Sequence, residues 1–178
     1  DRTRMFDSEE SGMRTSTPVT SPQSATHRRN LIAGLLLGLG TVAFIDEVIF
    51  HQLLHWHHFY DKSTSDIGLV SDGLFHAFSW FATVASLLLV VRLIRDSAFQ
   101  GLTFAGGWLT GAGFFQLYDG LVQHKALGLH QIRYDVDLAP YDITWNIIAA
   151  VLLASGVVLL IITARRTKRR DERLTTGT

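Results

Sequence analysis

The chain has 178 residues, 47% of them hydrophobic, and its 16 Lys and Arg are balanced by 16 Asp and Glu. That length is one domain's worth of material, the segregated but balanced charge excludes a nucleic-acid surface, and the lack of cysteine excludes disulfides, thiolate metal sites and cysteine nucleophiles together. Met5 and Met13 both precede the apolar body, so no thioether ligand is available within it.

In chain order, residues 1–28 are rich in Ser, Thr, Pro and charge, have no helical or strand period, and read as a disordered cytosolic tail. Residues 29–165 then carry four apolar segments, and residues 166–178 form a basic cytosolic tail. The first segment starts after Arg28 and Arg29, runs from Leu31 to Ile45, and passes into a stripe of acids and histidines that ends at His58. A basic flank before an apolar run also describes a signal peptide, but no small-residue cleavage pattern follows and three more apolar segments do. These are Gly73 to Val91, Gly101 to Tyr118 and Ile143 to Ala164, each free of Asp, Glu, Lys and Arg. Each approaches the about 20 residues needed to span a hydrocarbon core. The expectation is an all-α, four-helix transmembrane bundle, with helices near 30–58, 71–95, 100–124 and 141–165. Glycine and alanine recur along the segments, which lets membrane helices approach closely. No period of about 20 to 50 residues repeats, which excludes a solenoid.

Basic residues set the expected orientation. Arg28 and Arg29, then Arg92 and Arg95, then Arg165 to Arg170 fall on one side of such a bundle, so both termini are expected in the cytosol of a bacterial cell, with the protein in its inner membrane. The histidine-rich loops then face outward.

Depth and facing single out candidate ligands. At about 1.5 Å per residue from the basic ends, Glu47, His51, Asp72, His76, Gln116, Asp119, Asp142 and Asn146 all reach the same outer layer. Glu47, His51, His55 and His58 share one face of a continuous helix, and Asp72, His76, Ser79, Thr83 and Ser86 form a polar seam on the second. The unit acid-three residues-histidine occurs twice, Glu47 with His51 and Asp72 with His76, and lets both side chains meet one ion or lets the acid orient the imidazole. His124 lies about 140° from Asp119 on an α-helix, so it belongs to the surface or the helix ends near Gly120. Trp56, Phe59, Tyr60, Tyr134, Tyr141 and Trp145 read as an aromatic belt. The loop from His124 to Tyr141 is too apolar for a free linker and is expected to be ordered, with His130 closing over the bundle mouth.

Three strings carry a family resemblance: Phe50-His51-Gln52-Leu53-Leu54-His55-Trp56-His57-His58, Asp72-Gly73-Leu74-Phe75-His76-Ala77-Phe78, and Gly113 to His124 followed by Leu127-Gly128-Leu129-His130. With these, residues 30–163 resemble a bacterial family of small four-helix membrane proteins catalogued as a domain of unknown function. The resemblance implies the architecture. Members often carry Glu at the position of Asp119, Asp at that of Gln123, and His at those of Lys125 and Gln131, so this chain lacks some of the family's ligand candidates. The family is often encoded beside cytochrome oxidase assembly proteins, which implies copper handling.

The expected site is therefore a transition-metal centre drawn from Glu47, His51, His55, His58, Asp72, His76, Asp119 and His124. Imidazole with carboxylate suits copper(II), zinc or non-haem iron, with copper favoured over zinc or iron on the extracytoplasmic side. Buried carboxylates close together cannot all stay ionised without a cation, which a divalent ion supplies. A role in respiratory-oxidase assembly or copper homeostasis comes first, with the lipid bilayer and other membrane respiratory or metal-handling proteins as partners, no nucleic acid, and self-association left open. A membrane metalloenzyme, oxidative or hydrolytic, comes second. A proton or ion conduit and a bis-histidine haem protein complete the alternatives, and a conduit would require the polar line to continue to the cytosolic side.

Overall fold

A computed structural model describes residues 22–176. It is all-helical among those residues: α1 (Pro22–Asp46) runs without a break into a π-helical turn π1 (Glu47–Leu53); α2 spans Ser65–Arg95; α3 (Gly101–Tyr118) runs into a second π-helical turn π2 (Asp119–Ala126); and α4 spans Ala139–Thr176. Helix α1 thus begins seven residues inside the stretch 1–28 expected as a tail, and α4 continues past the expected boundary at 165. Residues 1–21, which hold most of that N-terminal segment, lie outside the described residues.

Among the described residues, three helices are long and apolar enough to cross a membrane: Pro22–Leu53, Ser65–Arg95 and Ala139–Arg170. Helix α3, expected as a fourth span, is not among them. It carries five glycines and packs between α1 and α4, so little of its surface needs apolar side chains for lipid. The contact of α1 with α3 is close enough that a Cβ on Gly34 would run into the carbonyl oxygen of Phe104, while one on Gly107 would sit 2.6 Å from that of Leu31. Helix α2 packs on α1 and α4 on α3, whereas α1 and α4 barely touch. At the arginine end, Asn30 ties α1 to the α2–α3 turn by donating to the Ala98 carbonyl and accepting from the Gln100 N–H, and Arg29 pairs with Asp96.

The two halves are copies. Gly34, Gly38 and Gly40 of α1 correspond to Gly107, Gly111 and Gly113 of α3; Asp46, His51 and His57 correspond to Asp119, His124 and His130, all at one offset of 73 residues (119 − 46). The geometry follows the sequence. Leu54 N–H donates to Ile49 O at 2.9 Å where Leu127 N–H donates to Val122 O at 2.8 Å, and the left-handed His55 (φ 50°) is matched by Gly128 (φ 54°). Such a hairpin repeat is far longer than a solenoid unit. It relates α1–π1–α2 to α3–π2–α4 by a pseudo-two-fold running along the bundle, the parallel type of membrane-protein repeat.

Candidate metal centre

The π turns build the site. Their hydrogen bonds close at i→i+5, one residue later than in an α-helix, so side chains five apart line up. Asp46 therefore meets His51, with Oδ2 3.8 Å from Nε2, and Asp119 meets His124, with Oδ2 3.0 Å from Nε2. This resolves the position of His124: it faces the same way as Asp119 and is buried, because the helix neither ends at Gly120 nor stays α-helical.

After each π turn the chain reverses and delivers a second histidine to the axis. His57 and His130 stack with centroids 4.5 Å apart and rings 4° from parallel. His51 and His57 are 4.5 Å apart, matched by His124 and His130 at 4.7 Å; the cross pairs His51–His130 and His57–His124 are both at 6.1 Å. All four imidazoles and both aspartates are buried. Ligand atoms of His57, His124 and His130 lie within 4.8 Å of one another, as do those of Asp46, His51 and His57, and of Glu47, His51 and Asp72.

Hydrogen bonding fixes the tautomers. The Nδ1–H of His57 donates to the Ile132 carbonyl at 3.0 Å, that of His130 to the Phe59 carbonyl at 2.9 Å, and that of His51 to Asp72 Oδ1 at 3.0 Å. A neutral ring that donates through Nδ1 carries its lone pair on Nε2. The Nε2 atoms of His51, His57 and His130 are all buried with no hydrogen-bond partner, and so are both ring nitrogens of His124, whose Nε2 approaches Asp119 without hydrogen-bonding alignment. Burial, reinforced by the neighbouring His130 and His51, pushes the loop residue His57 down to about 2, so its ring is neutral. Unmade hydrogen bonds of buried groups cost about 1–3 kcal/mol each. Several converging on one point are the usual mark of a ligand site.

The halves have diverged around this core. On the first side Asp72 accepts from His51, from His58 Nδ1 at 2.7 Å and from the Phe59 N–H at 2.7 Å, while Glu47 Oε2 lies 3.1 Å from His51 Nδ1 and Gln52 donates to Oε1. Glu47 is replaced by Gly120 in the second half. Beyond the loop, which is three residues shorter in the second half, the offset becomes 70 (142 − 72), and Asp142, the counterpart of Asp72, pairs with Lys125 instead. Gln123 donates to Asp119 Oδ1 at 2.9 Å, where Phe50 stands beside Asp46.

Of the expected ligands, Glu47, His51, Asp72, Asp119 and His124 come together, and His58 joins them through Asp72. His55 does not: the helix ends at Leu53, and His55 is exposed on a left-handed backbone, lining an outer cavity of about 340 Å³ with His57, His58 and Asp61. His76 does not either. The buried face of α2 is centred on Phe75, Ser79, Ala82 and Ser86, which puts His76 roughly 80° away on the exposed side against Phe44. Thr83 is likewise only half-buried. Trp145, expected in an aromatic belt, is buried and donates to the Gln116 carbonyl. Asp46 and His57 were not anticipated, and His130 was expected over the mouth rather than inside the cluster. The signal that identifies all three is Asp-x4-His-x5-His, present at 46–57 and again at 119–130.

A family profile described as a predicted membrane protein (DUF2243) matches residues 33–163. Both copies of that pattern fall inside it. No curated protein and no solved structure matches the chain.

Proposed function

The chain belongs to the DUF2243 family of predicted membrane proteins, and we propose that it binds a transition metal at the pseudo-two-fold axis, copper in preference to zinc or iron. His51, His57, His124 and His130 supply the nitrogens, Asp46 and Asp119 flank them, and Glu47 and Asp72 add negative charge on one side. The observation that carries this reading is the set of inward-facing, partnerless Nε2 atoms on rings whose Nδ1–H groups are already held by Ile132, Phe59 and Asp72. Outer partners of that kind orient metal-ligating histidines and raise their basicity. Nitrogen-rich sites with carboxylates favour copper(II) at the top of the divalent affinity order.

The arginine clusters at the opposite end of the bundle support cytosolic termini, α3 as a fourth, sheltered span, and a site at the outer surface of a bacterial inner membrane. The outer cavity beside His55 and His58 gives the ion an entry path. Delivery or storage of copper for respiratory-oxidase assembly, or copper homeostasis, fits this position. A metalloenzyme is the second reading, favoured by an apolar cavity that reaches Asp46. A proton conduit is disfavoured, because the arginine half of the axis is lined by Gly34, Gly38, Gly107 and Gly111.

The test is reconstitution. Chelator-stripped protein loaded with copper(II) should give an electron paramagnetic resonance spectrum split by imidazole nitrogens, lost in His57→Ala. A spectrum of loosely bound aqueous copper in the wild type would refute the reading.

A further inference from the structure

The pseudo-symmetry also pairs two cavities, and their differences point to a ligand. One, of about 740 Å³, lies between α1 and α4 and is walled by residues that include Val42, Phe50, Ile132 and Trp145. The other, of about 450 Å³, lies between α2 and α3, walled at the matching positions by Phe115, Gln123, Phe59 and Phe75. Both open sideways onto the apolar surface, the larger at Ile45 and Ile148, which are 50% and 47% exposed. A lateral opening of this kind admits molecules dissolved in the bilayer.

The larger cavity differs from its copy in one chemical respect. It reaches Asp46, which is 3% exposed and whose only polar side-chain partner among the described residues is His51 at 3.8 Å. In the copy, Gln123 hydrogen-bonds Asp119 and closes it off from the cavity. Phe50 stands where Gln123 would be, so the Asp46 carboxylate faces the cavity with no donor on it. Gln116 adds a second buried polar side chain to the wall, where the copy has Ala43. The rings around the space are aromatic: Phe50 meets Trp56 at 5.1 Å and Trp145 at 5.6 Å, and Trp56 meets Tyr141 at 5.8 Å. Toward the loops Arg133 closes the rim, over Trp56 and donating to the Tyr141 hydroxyl.

We propose that this cavity binds a lipid-soluble quinol, with its flat ring among Phe50, Trp56, Tyr141 and Trp145, its hydroxyl donating to Asp46, and its tail leaving between Ile45 and Ile148. An apolar pocket of this size with one or two convergent polar groups is the usual form of a small-molecule site. Ionised, as a bound divalent ion keeps it beside Glu47, Asp72 and Asp119, the uncapped carboxylate selects a donor over an acceptor, and so a quinol over its quinone. The bound hydroxyl then lies at the edge of the histidine cluster. Binding of the ring rests on the cavity alone, whereas the preference for the quinol rests on the metal reading, so the protein is tested stripped and loaded with zinc, which does not oxidise the quinol.

The experiment titrates full-length protein in lipid nanodiscs with a benzoquinol bearing a ten-carbon tail, with the corresponding quinone, and with its dimethyl ether, reading tryptophan quenching. Saturable binding is expected in both, with the quinol at least about tenfold tighter than the quinone or the ether in the zinc-loaded protein, the size of one charge-assisted hydrogen bond. Phe50→Gln, which gives Asp46 the cap that Asp119 already has, should reduce quinol binding to the level of the quinone. Ile148→Trp should block the site, while Phe78→Trp at the matching position of the smaller cavity should leave it intact. Equal affinity for quinol, quinone and ether in the zinc-loaded wild-type protein, which requires no variant to fold, would mean that the groove holds only acyl chains and would overturn the proposal. So would quinol binding unchanged by both Phe50→Gln and Ile148→Trp.

Discussion

His57 and His130 lie face to face 4.5 Å apart, and each donates its Nδ1–H to the residue two positions beyond the other, His57 to Ile132 and His130 to Phe59. The reciprocity makes the two rings a single unit on the pseudo-two-fold axis. Each loop is held in place by the histidine of the opposite repeat, so the pair staples the two hairpins together while aiming both Nε2 lone pairs at the cluster.

Equivalence under the two-fold predicts matched phenotypes. His57→Ala and His130→Ala should each weaken metal binding at least about 100-fold, and the double variant should be little worse than either, since residues acting as one unit are not additive. Competition with a chromophoric chelator measures this. Loss in one single variant with full retention in the other would contradict a shared site.

Of the two acid-and-histidine units, only Glu47–His51 brings both members to the centre, while Asp72–His76 contributes its acid alone. His51→Ala should remove bound metal, whereas His76→Ala should retain it, because His76 lies on the exposed side of α2 against Phe44. Metal content of the two purified variants decides. Equal loss in both would require α2 to be turned from the orientation described.

The close contact of the repeats sets a stability prediction. Gly34→Val or Gly111→Val should destabilise the bundle by about 1–3 kcal/mol or more, since the added carbons meet backbone of the facing helix. Gly73→Ala, whose Cβ would meet nothing within 4 Å, should be neutral or stabilising by up to about 1 kcal/mol through helix propensity. Thermal melts in detergent compare them; equal melting temperatures would disprove the tight α1–α3 contact.

Helices, their order and the layer of the site were legible in the sequence because apolar runs, arginine flanks and depth counting depend only on the 1.5 Å rise of a helix. Facing was less so, because it accumulates error at every turn. Reading an α-helix straight through to His58 put His55 in line with His51; the π turn and the break after Leu53 put His57 there instead. The same one-residue shift turned His124 from an outlier about 140° from Asp119 into its neighbour. His76 was misjudged because Phe75 and Ala82 rotate the buried face of α2 away from it. The repeat was legible in principle. Its conserved marks, three glycines, one aspartate and two histidines, are spread over a longer period than solenoid units use.

Topology gives a further test. The chain has no cysteine, so single cysteines can be introduced cleanly. A cysteine at Lys62 should react with a membrane-impermeant maleimide in intact cells, and one at Lys168 only after the membrane is opened. The reverse pattern would place the histidine cluster on the cytosolic side and remove the argument from extracytoplasmic copper.

The most direct test of the metal centre is elemental analysis by mass spectrometry of the wild-type protein, extracted gently and passed over a desalting column. The account predicts at least about one equivalent of a transition metal per chain, copper foremost, because a buried, preorganised ligand set holds its ion through such handling. Less than about a tenth of an equivalent of any transition metal, even after incubation with copper, zinc and iron salts, would show the four histidines to be a polar core and contradict it.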